Sequence, residues 1–207
     1  MNDQVLKNGV EKLLFRVNGN NVSLYNSQDD LVPENFTIVG LFSPNDLKSI
    51  VELIEKLRLV DHNQLYYEPD KLHLTLLGQI DLGTNIEILV NTVQKFIDQN
   101  EIRLHLLGVG SSLKAANVTA YPQGFQIDQL RQIIRRVGGG TSFDGPYEKL
   151  GWINFMRYLQ KPKDQLFAEL GAETNTDFGL VKPKLILLLR NSSRTLKEVE
   201  IVHSFNL

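Results

Sequence analysis

The chain alternates short, continuous apolar runs with stretches whose apolar residues recur at helical spacing, and it does so twice in the same order. Phe36–Phe42 reads as a buried strand. Ser43-Pro44-Asn45-Asp46 reads as a helix start, with Ser43 as N-cap and Pro44 in the first turn. A stripe at Leu47, Ile50, Val51, Ile54 and Leu57 follows. Leu72–Ile80 is a second strand, Ile86–Ile97 a second helical stripe and Ile102–Val109 a third strand. The order then returns. Asn117–Tyr121 is a strand, and Ile127–Val137 a stripe closed by Gly138-Gly139-Gly140. Trp152–Tyr158 is a strand and Leu166–Leu170 marks a short helix. Lys184–Arg190 and Val199–Phe205 are the last strands. Equivalent elements lie about 80 residues apart without sequence identity, so the repeat is one of element order. A pseudo-twofold relating the halves places 72–80 and 152–158 at equivalent positions, with a natural ligand site between them.

A length of 207 residues with 42% hydrophobic content supports one large domain or two small, closely packed ones. The longest apolar run, Leu185–Leu189, is the length of a strand and far short of a membrane helix. The start lacks the basic and apolar regions of a secretory signal. A cytoplasmic location without membrane contact is the simplest expectation. The absence of cysteine excludes disulfides, thiolate metal sites and a cysteine nucleophile. Imidazole chemistry is confined to four histidines: His62, His73, His105 and His203.

Residues 1–35 are rich in Asn and Asp, with Asn18-Gly19 suggesting a hairpin, and read as an N-terminal extension on a single domain spanning 36–207. The net charge of −2 draws the protein to no polyanion in general. Its distribution is uneven. Arg131, Arg135, Arg136, Lys149, Arg157, Lys161 and Lys163 face only Asp144 and Glu148 across 131–163. That stretch is either a solvated face or an anion-binding patch.

His73-Leu74-Thr75 supplies the chemistry. Alternate strand residues share a face, so His73 and Thr75 point together while the flanking leucines point into apolar packing. An imidazole titrates near neutral pH, and a hydroxyl beside it donates at a fixed offset. Such a pair can grip and protonate a phosphoryl oxygen. It also suits a half-exposed histidine beside a threonine that merely favours strands.

The stretch Lys71-Leu72-His73-Leu74-Thr75-Leu76-Leu77-Gly78 resembles the first motif of the two-histidine phosphoesterase superfamily, which includes the bacterial RNA 2′,3′-cyclic phosphodiesterases, also called 2′-5′ RNA ligases. The segment Leu104-His105-Leu106-Leu107-Gly108-Val109-Gly110 is similar to the strand-then-glycine segment between that family's motifs. The resemblance runs from about Phe36 to the C-terminus. It implies an α+β, LigT-like fold: two pseudo-symmetric lobes of antiparallel sheet with flanking helices around a central cleft. It also implies a metal-free, cofactor-free site in which a histidine from each lobe serves as base or acid and the hydroxyls hold a phosphate.

The second lobe departs from that pattern. Alignment on Arg157 puts Trp152 at the histidine position and Asn154 at the threonine position. An indole cannot transfer a proton, whereas Asn154 still hydrogen-bonds and Arg157 still pairs with phosphate. The residues expected at the site are therefore His73 and Thr75 as catalytic groups and Trp152, Asn154 and Arg157 as substrate-binding groups. The expected ligand is a nucleotide or RNA terminal phosphate, with Trp152 stacking on a base. An active cyclic phosphodiesterase using His73 with a substitute acid such as water, Arg157 or His105, and a vestigial cleft in an interaction protein contacted through the acidic extension, are the alternatives. If Trp152 turns into the core, the alignment fails. Of the other histidines, only His105 has strand parity that could face the cleft. Gly138–Pro146, with four glycines, is a lid or a plain loop.

Overall fold

A computed structural model of the chain describes residues 22–140, 149–197 and 199–207. The Asn18-Gly19 hairpin and most of the Gly138–Pro146 loop fall outside them. The described chain begins with one helical turn, α1 (Ser27–Asp30), capped by the Asn26 side chain, which accepts from the backbone of Gln28 and Asp29. Then follow β1 (Leu31–Leu41), α2 (Lys48–Val60), β2 (Leu65–Tyr66), β3 (His73–Ile80), α3 (Ile86–Ile97) and β4 (Leu104–Ser111). The rest is β5 (Ala115–Pro122), α4 (Gln126–Gly138), β6 (Gly151–Arg157), α5 (Asp164–Ala172), β7 (Asp177–Val181), β8 (Leu185–Ser193) and β9 (Val199–Phe205).

All nine strands of the described residues belong to one sheet, ordered β7-β4-β5-β6-β3-β1-β8-β9, with the short β2 beside β6. Every pairing is antiparallel. Read outward from the centre, β3-β1-β8-β9 and β6-β5-β4-β7 are two four-stranded lobes, each led by the strand expected to carry a motif. The lobes are not the two halves of the sequence. β4 from the first half joins the second lobe, and β8 and β9 from the second half complete the first. The helices follow the same symmetry, α2 packing on α5 and α3 on α4.

One apolar cluster joins sheet and helices, including Leu74, Leu76, Ile153, Phe155, Leu57, Leu89 and Leu130. The expected elements are present within a few residues. The helix start is the exception. Ser43 and Asp46 exchange the reciprocal bonds of a capping box, Asp46 N–H to Ser43 Oγ at 3.2 Å and Ser43 N–H to Asp46 Oδ2 at 3.3 Å. They close a separate turn, however, and α2 begins only at Lys48. Sequence patterning misses β2 and β7, which are too short to show a period. It also places the start of the first strand five residues late, since β1 runs back to Leu31. Tyr25 and Asp30, upstream of that strand, are buried.

Candidate functional site

The two lobes meet at one residue pair. Between β3 and β6 the ladder consists of Leu74 opposite Ile153. A twofold through that pair carries His73 onto Trp152 and Thr75 onto Asn154. The same antiparallel register sets Thr75 beside Trp152 and His73 beside Asn154. Strand alternation sends Leu74 and Ile153 into the core and the other four residues to the opposite face. Gly151 permits the approach: a Cβ there would lie 2.4 Å from Leu74 Cδ1 in the packed interior.

On that face lies a cleft of about 320 Å³ whose lining includes His73, Thr75, Trp152, Asn154 and Arg157. The structure thus gathers all five residues singled out from sequence, and Trp152 enters the cleft instead of the core. His73 is 7% exposed. Its Nδ1 lies 2.8 Å from the Lys71 carbonyl, which can only accept, so Nδ1 carries the proton. Burial lowers the imidazole pKa; the bond to Lys71 opposes this and the Arg157 charge adds to it. The ring is therefore neutral at pH 7, with Nε2 unprotonated and able to act as a base.

Arg157 is held without a carboxylate. Its Nε donates to the Tyr67 hydroxyl at 3.2 Å, and its guanidinium sits 5.1 Å from the centre of the Tyr25 ring. It has no acidic partner among the described residues, so its charge remains available to an anion in the cleft. The Tyr25 hydroxyl in turn donates to Asp30 at 2.6 Å, and Asp30 also accepts from the Thr195 N–H and hydroxyl at 2.9 and 2.8 Å. Burial raises the Asp30 pKa, but these donors outweigh it and hold the carboxyl below its usual range. Residues 23–30 thus form a strap between the lobes. Ser23 and Tyr25 donate backbone bonds to Leu113 and Tyr158, Asp29 pairs with Lys114, and the Asp30 carbonyl accepts from Arg194.

No protein-family model matches the sequence, and no curated protein matches it. Solved structures do match. A phosphoesterase shares 14% identity at a TM-score of 0.57, over 85% of this chain and 99% of the other. TT0787 of Thermus thermophilus shares 14% at 0.56, over 84% and 97%. LigT of Escherichia coli, solved with ATP, shares 13% at 0.52, over 85% and 99%. The chain has the two-histidine phosphoesterase fold.

This two-histidine phosphoesterase fold brings further residues into the cleft that the sequence reading did not assign to it. Asn35, Thr37, Gln79, Asn191 and Arg194 line it, as does Arg131. Arg131 is 1% exposed and reaches from α4 to the Leu76 and Leu150 carbonyls at 2.7 and 2.9 Å. The β1–β3 register skips Leu76, which leaves its carbonyl off the ladder for that bond. Of the basic stretch 131–163, only Arg131 and Arg157 line the cleft. His105 is not among the lining residues; its Nε2 pairs with Asp177 Oδ1 at 2.8 Å near the sheet edge. A second hollow, about 580 Å³, lies by the C-terminal end of α3, where Glu101 neutralises Lys182 at 3.2 Å. Among the described residues no cluster of His, Asp and Glu could hold a metal, and no helix is long and apolar enough to cross a membrane.

Proposed function

We propose that the protein binds the terminal phosphate of a nucleotide or RNA in this cleft, as a phosphoesterase-type site reduced to one proton-transfer residue. The observation that carries the reading is the neutral, buried His73 facing a lobe in which its symmetry mate is Trp152. Thr75 and Asn154 donate to the phosphate oxygens, and Arg157, lacking a carboxylate, supplies the countercharge. Trp152 offers a stacking face to the base. Where the ligand is a 2′,3′-cyclic phosphate, His73 Nε2 takes the proton from water as it attacks phosphorus. No described residue in the cleft then protonates the departing ribose oxygen, so turnover is slow. A cytoplasmic setting, where RNA ends and nucleotides abound, suits this role.

Calorimetric titration with nucleoside 2′,3′-cyclic and 3′-phosphates tests the reading. Saturable binding that His73→Ala and Arg157→Ala each weaken supports it. No binding at millimolar ligand overturns it and leaves the cleft vestigial.

A further inference from the structure

The first-lobe wall of the cleft contains an amide that the fold itself does not use. Asn191, on β8, is 6% exposed and lines the cavity, yet its side chain makes no hydrogen bond to any described residue. Unlike the buried oxygens of Asn117 and Thr119, its polar atoms reach the solvent of the cleft, where a ligand can take the place of water. Its register partner on β1 is Asn35. That amide is fixed in place, donating to the Pro33 carbonyl at 2.7 Å and accepting from the Thr37 hydroxyl at 2.9 Å. Val32 and Leu196 add apolar surface to the same cavity.

We propose that this wall is a nucleobase subsite, in which Asn191 pairs with the hydrogen-bonding edge of the base and Val32 and Leu196 cover the face that Trp152 leaves open. A carboxamide presents one donor and one acceptor side by side. Base edges present the complement, as adenine does with N6–H and N7. Sugar hydroxyls and bare phosphate offer neither that edge nor a flat face that apolar walls would suit. The cavity sits at the lower end of the roughly 300–1,000 Å³ of small-molecule sites, which leaves room for one terminal nucleotide. The inference rests on the phosphate grip proposed above, which fixes where the rest of that nucleotide lies.

Wild type, Asn191→Ala and Asn191→Asp are titrated with the four nucleoside 3′-phosphates and with ribose 5-phosphate. In wild type at least one nucleotide is expected to bind ten- to a hundredfold more tightly than ribose phosphate. Asn191→Ala should erase that margin and leave ribose phosphate binding unchanged. Asn191→Asp keeps the shape but loses the donor. It should weaken the preferred nucleotide at an unchanged melting temperature, which covers the case of an unstable alanine variant. Equal binding of nucleotides and ribose phosphate by wild type, or equal losses for both in the variants, overturns the subsite while the phosphate grip stands. If wild type binds neither probe, the grip fails and the subsite falls with it.

Discussion

His73 and Trp152 occupy equivalent positions about the Leu74–Ile153 pair, and both line one cleft. One lobe presents a proton acceptor to the cleft. The other presents at the same point an aromatic ring whose N–H can only donate. The lobes are thus alike in backbone and unlike in chemistry, and the difference sits in two side chains.

Restoring the second half of the pair is expected to create an efficient catalyst. Trp152→His with Asn154→Thr places an imidazole and a hydroxyl where the symmetry requires them. General acid–base catalysis contributes about 10²–10⁴-fold. Hydrolysis of a 2′,3′-cyclic nucleotide should rise toward that range over wild type and vanish again when His73→Ala is added. A folded double variant that binds ligand without a rate increase would show that more than these side chains has been lost.

The buried imidazole also predicts a pH dependence of stability. Burial, resisted by the bond to Lys71 and aided by Arg157, holds the His73 pKa below its ordinary 6.5. The unfolded chain therefore takes up this proton before the native state does. Stability is unaffected above about pH 6.5 and falls as pH drops from there toward the lower native pKa. Melting temperatures measured from pH 7.5 to 5 should decline less steeply for His73→Gln than for wild type. Parallel curves would place the imidazole in a less buried setting.

What is legible in the sequence is what local pattern encodes. His73 and Thr75 stand out through alternation with leucines, and the 79-residue offset to Trp152 follows from two similar element orders. Arg131 and Asn191 give no such signal. Arg131 is one of several cations on an amphipathic helix, and its burial depends on a bulge that frees the Leu76 carbonyl on another element. Asn191 looks like the polar end of an apolar run, and only the β1–β8 register places it in the cleft. The exchange of β4 and β8 between lobes is equally hidden, because strand order in an antiparallel sheet is set by non-local pairing. Gly108 shows the same limit. Its φ of +75° belongs to a bulge that sets Leu107 and Gly108 of β4 against Thr119 alone of β5, and a Cβ there would lie 2.3 Å from the Thr174 carbonyl oxygen in the turn before β7, relations that only non-local pairing creates.

The strap predicts a separation of stability from binding. Tyr25→Phe keeps the ring beneath Arg157 but removes one donor from the buried Asp30 carboxylate. Hydrogen bonds to charged groups are worth about 1.5–3 kcal/mol. The urea midpoint should fall by that equivalent at an unchanged slope, with phosphate affinity retained. Tyr25→Ala should lose affinity as well, since Arg157 then loses its support. A Tyr25→Phe variant as stable as wild type would mean that Thr195 alone satisfies Asp30.

Thr119 predicts a gain. It is fully buried on β5, opposite Trp152 in the register, and its hydroxyl oxygen has no partner among the described residues. A Val side chain has nearly the same shape and is as well suited to a strand. Removing an unsatisfied polar atom without leaving a void should be stabilising. Thr119→Val is expected to gain about 1 kcal/mol, which for a chain of this size raises the melting temperature by roughly 2–4 °C. Because Thr119 is not among the residues that line the cleft, nucleotide affinity should not change. A lower melting temperature would show that the hydroxyl holds a buried water, and a loss of affinity would bring Thr119 itself into the site.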